Sequence, residues 1–162
     1  MSETSHQSPV ATTGMLIRRP AEEVFEAFAD PAITSRFWFS RGSARLEPGA
    51  HIIWEWEMYG ASMNVEVLEV VPGRKIVVTS PDDEPPLTVE WLFTPRGDDA
   101  TMVTITCSGF AGEGEDLCQQ IADNTEGYAL SLAGAKALLE HGIELNLVPD
   151  RHPDAIVEGW KA

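Results

Sequence analysis

The chain has 162 residues, enough for one domain that buries roughly 70% of its unfolded surface without a disulfide or a metal. Its 43% apolar and 23% charged residues match globular averages and exclude a disordered chain. Acids outnumber bases 26 to 11, a formal net charge of −15, which excludes nonspecific binding to nucleic acid or to anionic membranes, since both need clustered Lys and Arg.

Residues 1–9 are polar and read as a disordered tail without the apolar core of a signal peptide. The first apolar segment, ending in Met15, Leu16 and Ile17, reads as a strand between a glycine, Gly14, and Pro20. Pro20 opens a short helix, with Glu22 and Glu23 in its positively polarised first turn and Val24, Phe25 and Phe28 at helical spacing. Asp30-Pro31 ends it, and a second short helix follows through Trp38.

The period then changes to two. The segment 43–50 predicts a short strand and a turn at Pro48-Gly49. From His51 onward Ile52, Trp54, Trp56 and Met58 alternate with Ile53, Glu55 and Glu57. A turn at Gly60-Ala61 leads to a strand in which Met63, Val65 and Val67 alternate with Asn64 and Glu66. Further strands follow Pro72-Gly73, at 87–93 with Leu87, Val89, Trp91 and Phe93 on one face, and at 100–110. Short Gly- and Pro-bearing connections mean antiparallel hairpins, and alternation means one buried and one wet sheet face.

A long helix from about Leu117 to His141 is predicted to cover that face, with Ile121, Tyr128, Leu132, Ala135 and Leu139 on one side and Gly142 as its stop. Gly127 and Gly134 lie inside it and mark a kink or a close approach to the sheet. The remaining tail has no clear period. The expected organisation is a domain over 10–148 and a C-terminal extension over 149–162. The fold class is α+β: a curved antiparallel sheet of about six to seven strands around one long C-terminal helix, with two short helices after the first strand.

These residues resemble a known family. Pro20, Phe25, Asp30, Pro31 and Trp38, followed by the Trp54–Trp56 strand, are similar to the opening of START-like, helix-grip proteins of the SRPBCC superfamily. The branch they resemble is that of the C-terminal domain of the activator of the 90-kDa heat-shock chaperone's ATPase. The resemblance covers roughly residues 10–148. It implies the helix-grip fold and a cavity between helix and sheet, in a superfamily that includes lipid carriers, hormone receptors and cyclases.

The expected cavity lining is Trp54, Trp56, Met58, Met63, Val65, Trp91 and Phe93 from the sheet, with Tyr128 and Leu132 from the helix. Flat rings and adaptable thioethers suit an apolar or aromatic ligand, although the same side chains also serve as plain core. Three consecutive aromatics in the run 36–39 cannot all point inward, which makes Trp38 and Phe39 the entrance candidates. Tyr59, Asn64, Tyr128 and Arg36 are the polar groups available to orient a ligand.

Catalytic signals are thin. Glu55, Glu57, Glu66 and Glu90 fall on the wet face by parity, unless a bulge shifts the register. No buried, desolvated carboxylate or histidine is expected in the pocket. No serine stands in a nucleophile elbow. Cys107 and Cys118 form no CxxC pair and read as free thiols, and the four histidines lack metal-ligand spacing. No catalytic residue, metal or cofactor is expected.

The reading is therefore a cytoplasmic protein, monomer or homodimer, that binds a small hydrophobic or aromatic molecule. Two alternatives stand beside it: a co-chaperone-like interaction module, and a cyclase- or hydrolase-type enzyme acting on an aromatic or polyketide substrate.

Overall fold

Alternation along the middle of the chain becomes seven antiparallel strands in the computed structural model, which describes residues 8–161. They are β1 (Ala11–Ile17), β2 (Arg41–Gly42), β3 (His51–Trp56), β4 (Ala61–Val71), β5 (Lys75–Ser80), β6 (Leu87–Pro95) and β7 (Thr101–Ser108). The sheet order is β1-β7-β6-β5-β4-β3-β2, so every neighbour from β2 to β7 is also next in sequence, and β1 closes the far edge against β7. Most of the tail predicted over residues 1–9 lies outside the described residues.

Parity places the side chains as expected over most of the sheet. Ile52, Trp54, Val65, Val67, Ile76, Val78, Val89, Trp91, Phe93, Val103, Ile105 and Cys107 are all buried. Ile53 and Leu92, one residue out of phase, are exposed. A bulge in β4 between Val67 and Glu69 resets this phase: Leu68 is extruded to solvent, and Val70 then pairs with Ile76. The acids keep to the wet face. Glu90 and Glu69 share Lys75 at 3.6 and 3.2 Å, and Glu55 lies 3.7 Å from Arg41.

The segment 43–50 is not the strand expected. Only Arg41–Gly42 pair with β3, and the chain then turns, dropping Leu46 into the core. Two residues suffice there because the edge is held by Ser40 N–H donating to the Glu55 carbonyl at 2.8 Å, and Ser43 N–H to that of Ile53 at 2.9 Å.

Helices α1 (Ala21–Ala29) and α2 (Pro31–Thr34) follow β1. Asp30 ends the first and caps the second, its side chain accepting from Ala32 N–H at 3.0 Å. The buried Thr34 hydroxyl donates to the carbonyls of Ala27 and Asp30, which fixes the angle between them. Phe25 and Phe28 reach the sheet and meet Phe93 at ring distances of 5.6 and 6.0 Å.

Helix α3 runs from Gly114 to His141 and ends at Gly142, whose φ of +65° is the left-handed stop expected of a glycine. It packs closely on β1 and more lightly on β7. Lys136 Nζ donates to the Leu16 carbonyl at 2.8 Å, and Glu140 accepts from Arg18 N–H at 3.0 Å, so the C-terminal half is pinned to β1. All five buried residues of the helix, Ser131, Leu132, Gly134, Ala135 and Leu138, belong to that half. The N-terminal half has no buried residue and packs more loosely, through half-buried Ile121.

The two internal glycines separate along this divide. A Cβ on Gly134 would lie 2.9 Å from Phe37 Cβ and 3.0 Å from its carbonyl oxygen, whereas one on Gly127 would meet open space. Alanine is worth about 1 kcal/mol over glycine inside a helix, and forcing a methyl into a packed contact costs about 1–3 kcal/mol. Gly127→Ala is therefore expected to stabilise the protein and Gly134→Ala to destabilise it, opposite signs for one substitution in one helix. Urea unfolding of the two variants reads the signs directly. Equal stabilisation of both would mean that Phe37 does not limit the approach of α3.

The tail has a structure that no period announced. Residues 143–146 lead to a short helix α4 (Leu147–Arg151), which crosses the expected domain boundary at residue 148 and folds back against the β3–β4 turn. Val157 N–H donates to the Met58 carbonyl at 2.8 Å, and Arg151 pairs with Glu126 of α3 through both Nε and an amino group.

Candidate functional site

Between the N-terminal half of α3, the β3–β4 turn and α4 lies a cavity of about 560 Å³. That volume falls within the range of roughly 300–1,000 Å³ usual for small-molecule sites. The sheet side contributes Trp56, Tyr59 and Ala61. The helix contributes Asp123, Asn124, Glu126, Gly127, Tyr128 and Leu130. The tail contributes Val148, Arg151 and His152, and Trp38 forms the inner wall.

Trp38 occupies this place because of what flanks it. Phe37 packs edge-on against Phe28 at 5.3 Å, and Phe39 stacks on Trp54 at 5.5 Å. Both are buried, at 8% and 2% exposure. The ring between them, Trp38, is turned across the sheet. It meets Trp54, Trp56, Tyr128 and Trp91 at ring distances of 5.1, 5.5, 5.5 and 6.4 Å. It also borders a second, smaller cavity of about 200 Å³ against Met58, Val148 and Trp160. Trp38 and Val148 are thus shared walls between the two spaces.

The predicted lining divides accordingly. Trp56 and Tyr128 face the larger cavity. Trp54, Val65, Trp91, Phe93 and Leu132 do share a covered face as alternation requires, but they are buried at 2% exposure or less and form solid core rather than cavity wall. The reason is the plug of Phe25, Phe28, Phe37, Trp38 and Phe39, which packs into the same core as these side chains. Met63 is half-buried beside that core. Met58 does not continue the strand: residues 57–59 form a 3-10 turn, which buries Met58 against the smaller cavity. Phe39 is buried, stacked on Trp54, and borders the smaller cavity but not the larger one.

The polar groups are likewise redistributed. Arg36 is exposed and lies 3.6 Å from Glu144, and Asn64 donates to Asp82 away from the larger cavity. The Tyr59 hydroxyl donates to the Val148 carbonyl and so ties α4 to the turn. The cavity has ionisable groups, and these are exposed or half-buried side chains. Asp123, Glu126, Arg151 and His152 stand at its rim, delivered by the outer face of α3 and by the tail rather than by the sheet.

Their electrostatics are those of a solvated rim around an apolar floor. The hydrogen bond from Arg151 holds the Glu126 carboxyl below the usual carboxylate range. Burial pushes the Tyr128 phenol far above its ordinary value, with Cys107 and Asp83 adding to the rise and no hydrogen bond opposing it. Tyr128 therefore remains a neutral donor at ordinary pH. Burial also raises the Cys107 thiol to about 11, which keeps it protonated and unreactive near neutrality. Among the described residues no group of three His, Cys, Asp or Glu side chains is placed to hold a metal ion, and no helix is long and apolar enough to cross a membrane.

Sequence reasoning missed the tail and the rim. The one available signal was Gly127, a helix-weakening residue at a position where nothing packs.

Comparison with known proteins places this architecture. No curated protein sequence matches the chain at a significant level. Among solved structures, the protein SSP2350 from Staphylococcus saprophyticus is 31% identical, with a TM-score of 0.73 over 85% of this chain and 96% of that one. The Aha1 dimer from Colwellia psychrerythraea has a similar fold at 16% identity, with a TM-score of 0.72 over 83% of this chain and 98% of that one. DynU16, a protein of the dynemicin biosynthetic locus, aligns at 21% identity with a TM-score of 0.73 over 85% of this chain, which spans about half (49%) of its length. The family model described as Activator of Hsp90 ATPase homolog 1-like protein matches residues 18–140, from the end of β1 to the last turn of α3. The chain is a START-like, helix-grip domain and belongs to the family of Activator of Hsp90 ATPase homolog 1-like proteins.

Proposed function

We propose that this protein binds a small hydrophobic or aromatic molecule in the cavity between α3, the β3–β4 turn and α4. The observation that carries the reading is the wall itself. Trp38, Trp56 and Tyr128 present flat apolar surface to a space of about 560 Å³ that no side chain of the described residues fills. Apolar concavities with a few polar groups are the usual form of a small-molecule site.

Titration with naphthol tests it. Two of the five tryptophans line the space, so a saturable change in intrinsic fluorescence is expected, matched by calorimetric heat with one-to-one stoichiometry. Absence of both signals would remove the reading.

The family's description favours a second reading, interaction with a 90-kDa heat-shock chaperone, and the Colwellia relative adds homodimer formation. A pull-down with the purified chaperone and sedimentation of the free protein decide these. A cyclase- or hydrolase-type reaction on an aromatic substrate is a third, supported by the similar fold in the dynemicin locus. We assign the protein to the cytoplasm, where its two free thiols, one buried and one exposed, are chemically at home.

A further inference from the structure

We infer that the ligand of the larger cavity carries a positive charge, as an aromatic or alkyl amine in its ammonium form. This inference rests on the cavity being the ligand site, and it concerns what that site prefers. The rings at the floor are not a flat stack. Trp56 stands at 78° to Trp38 and Tyr128 at 49°, each with ring centres 5.5 Å apart, which makes a corner of ring faces and edges. Ring faces carry negative quadrupole density and attract an ammonium or guanidinium within about 6 Å of the centroid, while repelling a carboxylate. Tryptophan is the strongest of these partners, and two of the three rings are tryptophan.

The rim has the same sign. Four of its side chains can carry charge: Asp123, Glu126, Arg151 and His152. Arg151 is engaged by Glu126 through two hydrogen bonds, so these two cancel. Asp123 receives only a neutral amide, Gln119 Nε2, at 2.8 Å. Two carboxylates against one guanidinium give the rim one net negative charge, set within a protein of net charge −15. Salt screens the distant charges over roughly 8 Å, so the local field comes from the acids at the mouth, Asp123 in the lining and Asp150 acting on Tyr59. An ammonium group entering the corner meets aromatic rings below and a carboxylate at the mouth. A carboxylate ligand meets neither a free cation at the rim nor an attractive floor.

Three probes with one aromatic body decide it: naphthylmethylammonium, naphthylmethanol and naphthoate, titrated calorimetrically into the whole chain at slightly alkaline pH and low salt. A primary amine stays protonated there. The ammonium is expected to bind about tenfold more tightly than the alcohol, with naphthoate weakest. Asp123→Asn, at an exposed position, is expected to shrink the ratio of ammonium to alcohol affinity toward one, read in the same titrations. Equal affinities for ammonium and alcohol, or a preference for naphthoate, would overturn the charge assignment while leaving an apolar site in place. Failure of all three probes to bind would overturn the apolar site as well.

Discussion

Trp54→Ala is expected to cost about 3–5 kcal/mol of folding stability, the range for truncating a fully buried large aromatic. Trp54 is 2% exposed and lies at the centre of the aromatic cluster. It stacks on Phe39 and meets Trp38 and Trp91 edge-on at 5.1 and 6.3 Å. Removing the indole leaves a void that these rings cannot collapse into together, because Trp38 and Phe39 are held by the segment after α2 and Trp91 by β6. At this chain length the loss corresponds to a fall in Tm of roughly 6–20 °C. The neighbouring Ile53 provides the contrast. It is 47% exposed on the wet face, and Ile53→Ala is expected to stay within about 0.5 kcal/mol. Paired urea melts measure both. Similar losses at the two positions would mean that β3 is not held in the register observed here.

Gly127→Leu is expected to weaken binding of the naphthyl probes by roughly tenfold or more while the fold is unchanged or firmer. Gly127 borders the larger cavity, and a side chain at this position would extend into open space. Leucine is a strong helix former and glycine a poor one, so the substitution favours α3 by nearly 1 kcal/mol. Loss of ligand with retained or raised Tm separates a blocked site from a damaged protein. Calorimetric titration of wild type and variant side by side gives the answer. Unchanged affinity would place bound ligand somewhere other than this cavity.

The two substitutions differ in how far local sequence foretells them. Trp54 and Ile53 are adjacent in a strand with a two-residue period, so one is buried and the other is not. The same logic placed Val65, Trp91 and Phe93 inside and the glutamates outside. In β4 its phase slipped after the bulge, where Val70 rather than Glu69 turns toward the core; Met58 is buried as alternation requires, although the strand has already given way to a 3-10 turn. Gly127 and Gly134 look alike in sequence. One sits over open space and the other against Phe37, a distinction made by a segment about a hundred residues away.

By itself the sequence determined the two sheet faces, the antiparallel hairpin order, the two short helices around Asp30-Pro31 and the stop of α3 at Gly142. All of these follow from contacts between near neighbours or from the conformational limits of single residues. Only the tertiary structure decided where the cavity lies. Alternation assigns a side chain to a face but does not say what covers that face, and the Phe37–Phe39 run covers its centre. The helix is pinned to β1 by Lys136 and Glu140, which leaves the gap on the β3–β4 side. The wall that closes the gap comes from a tail with no period. It is held by the Tyr59–Val148, Val157–Met58 and Arg151–Glu126 contacts, whose partners are distant in sequence and meet only once the domain has folded.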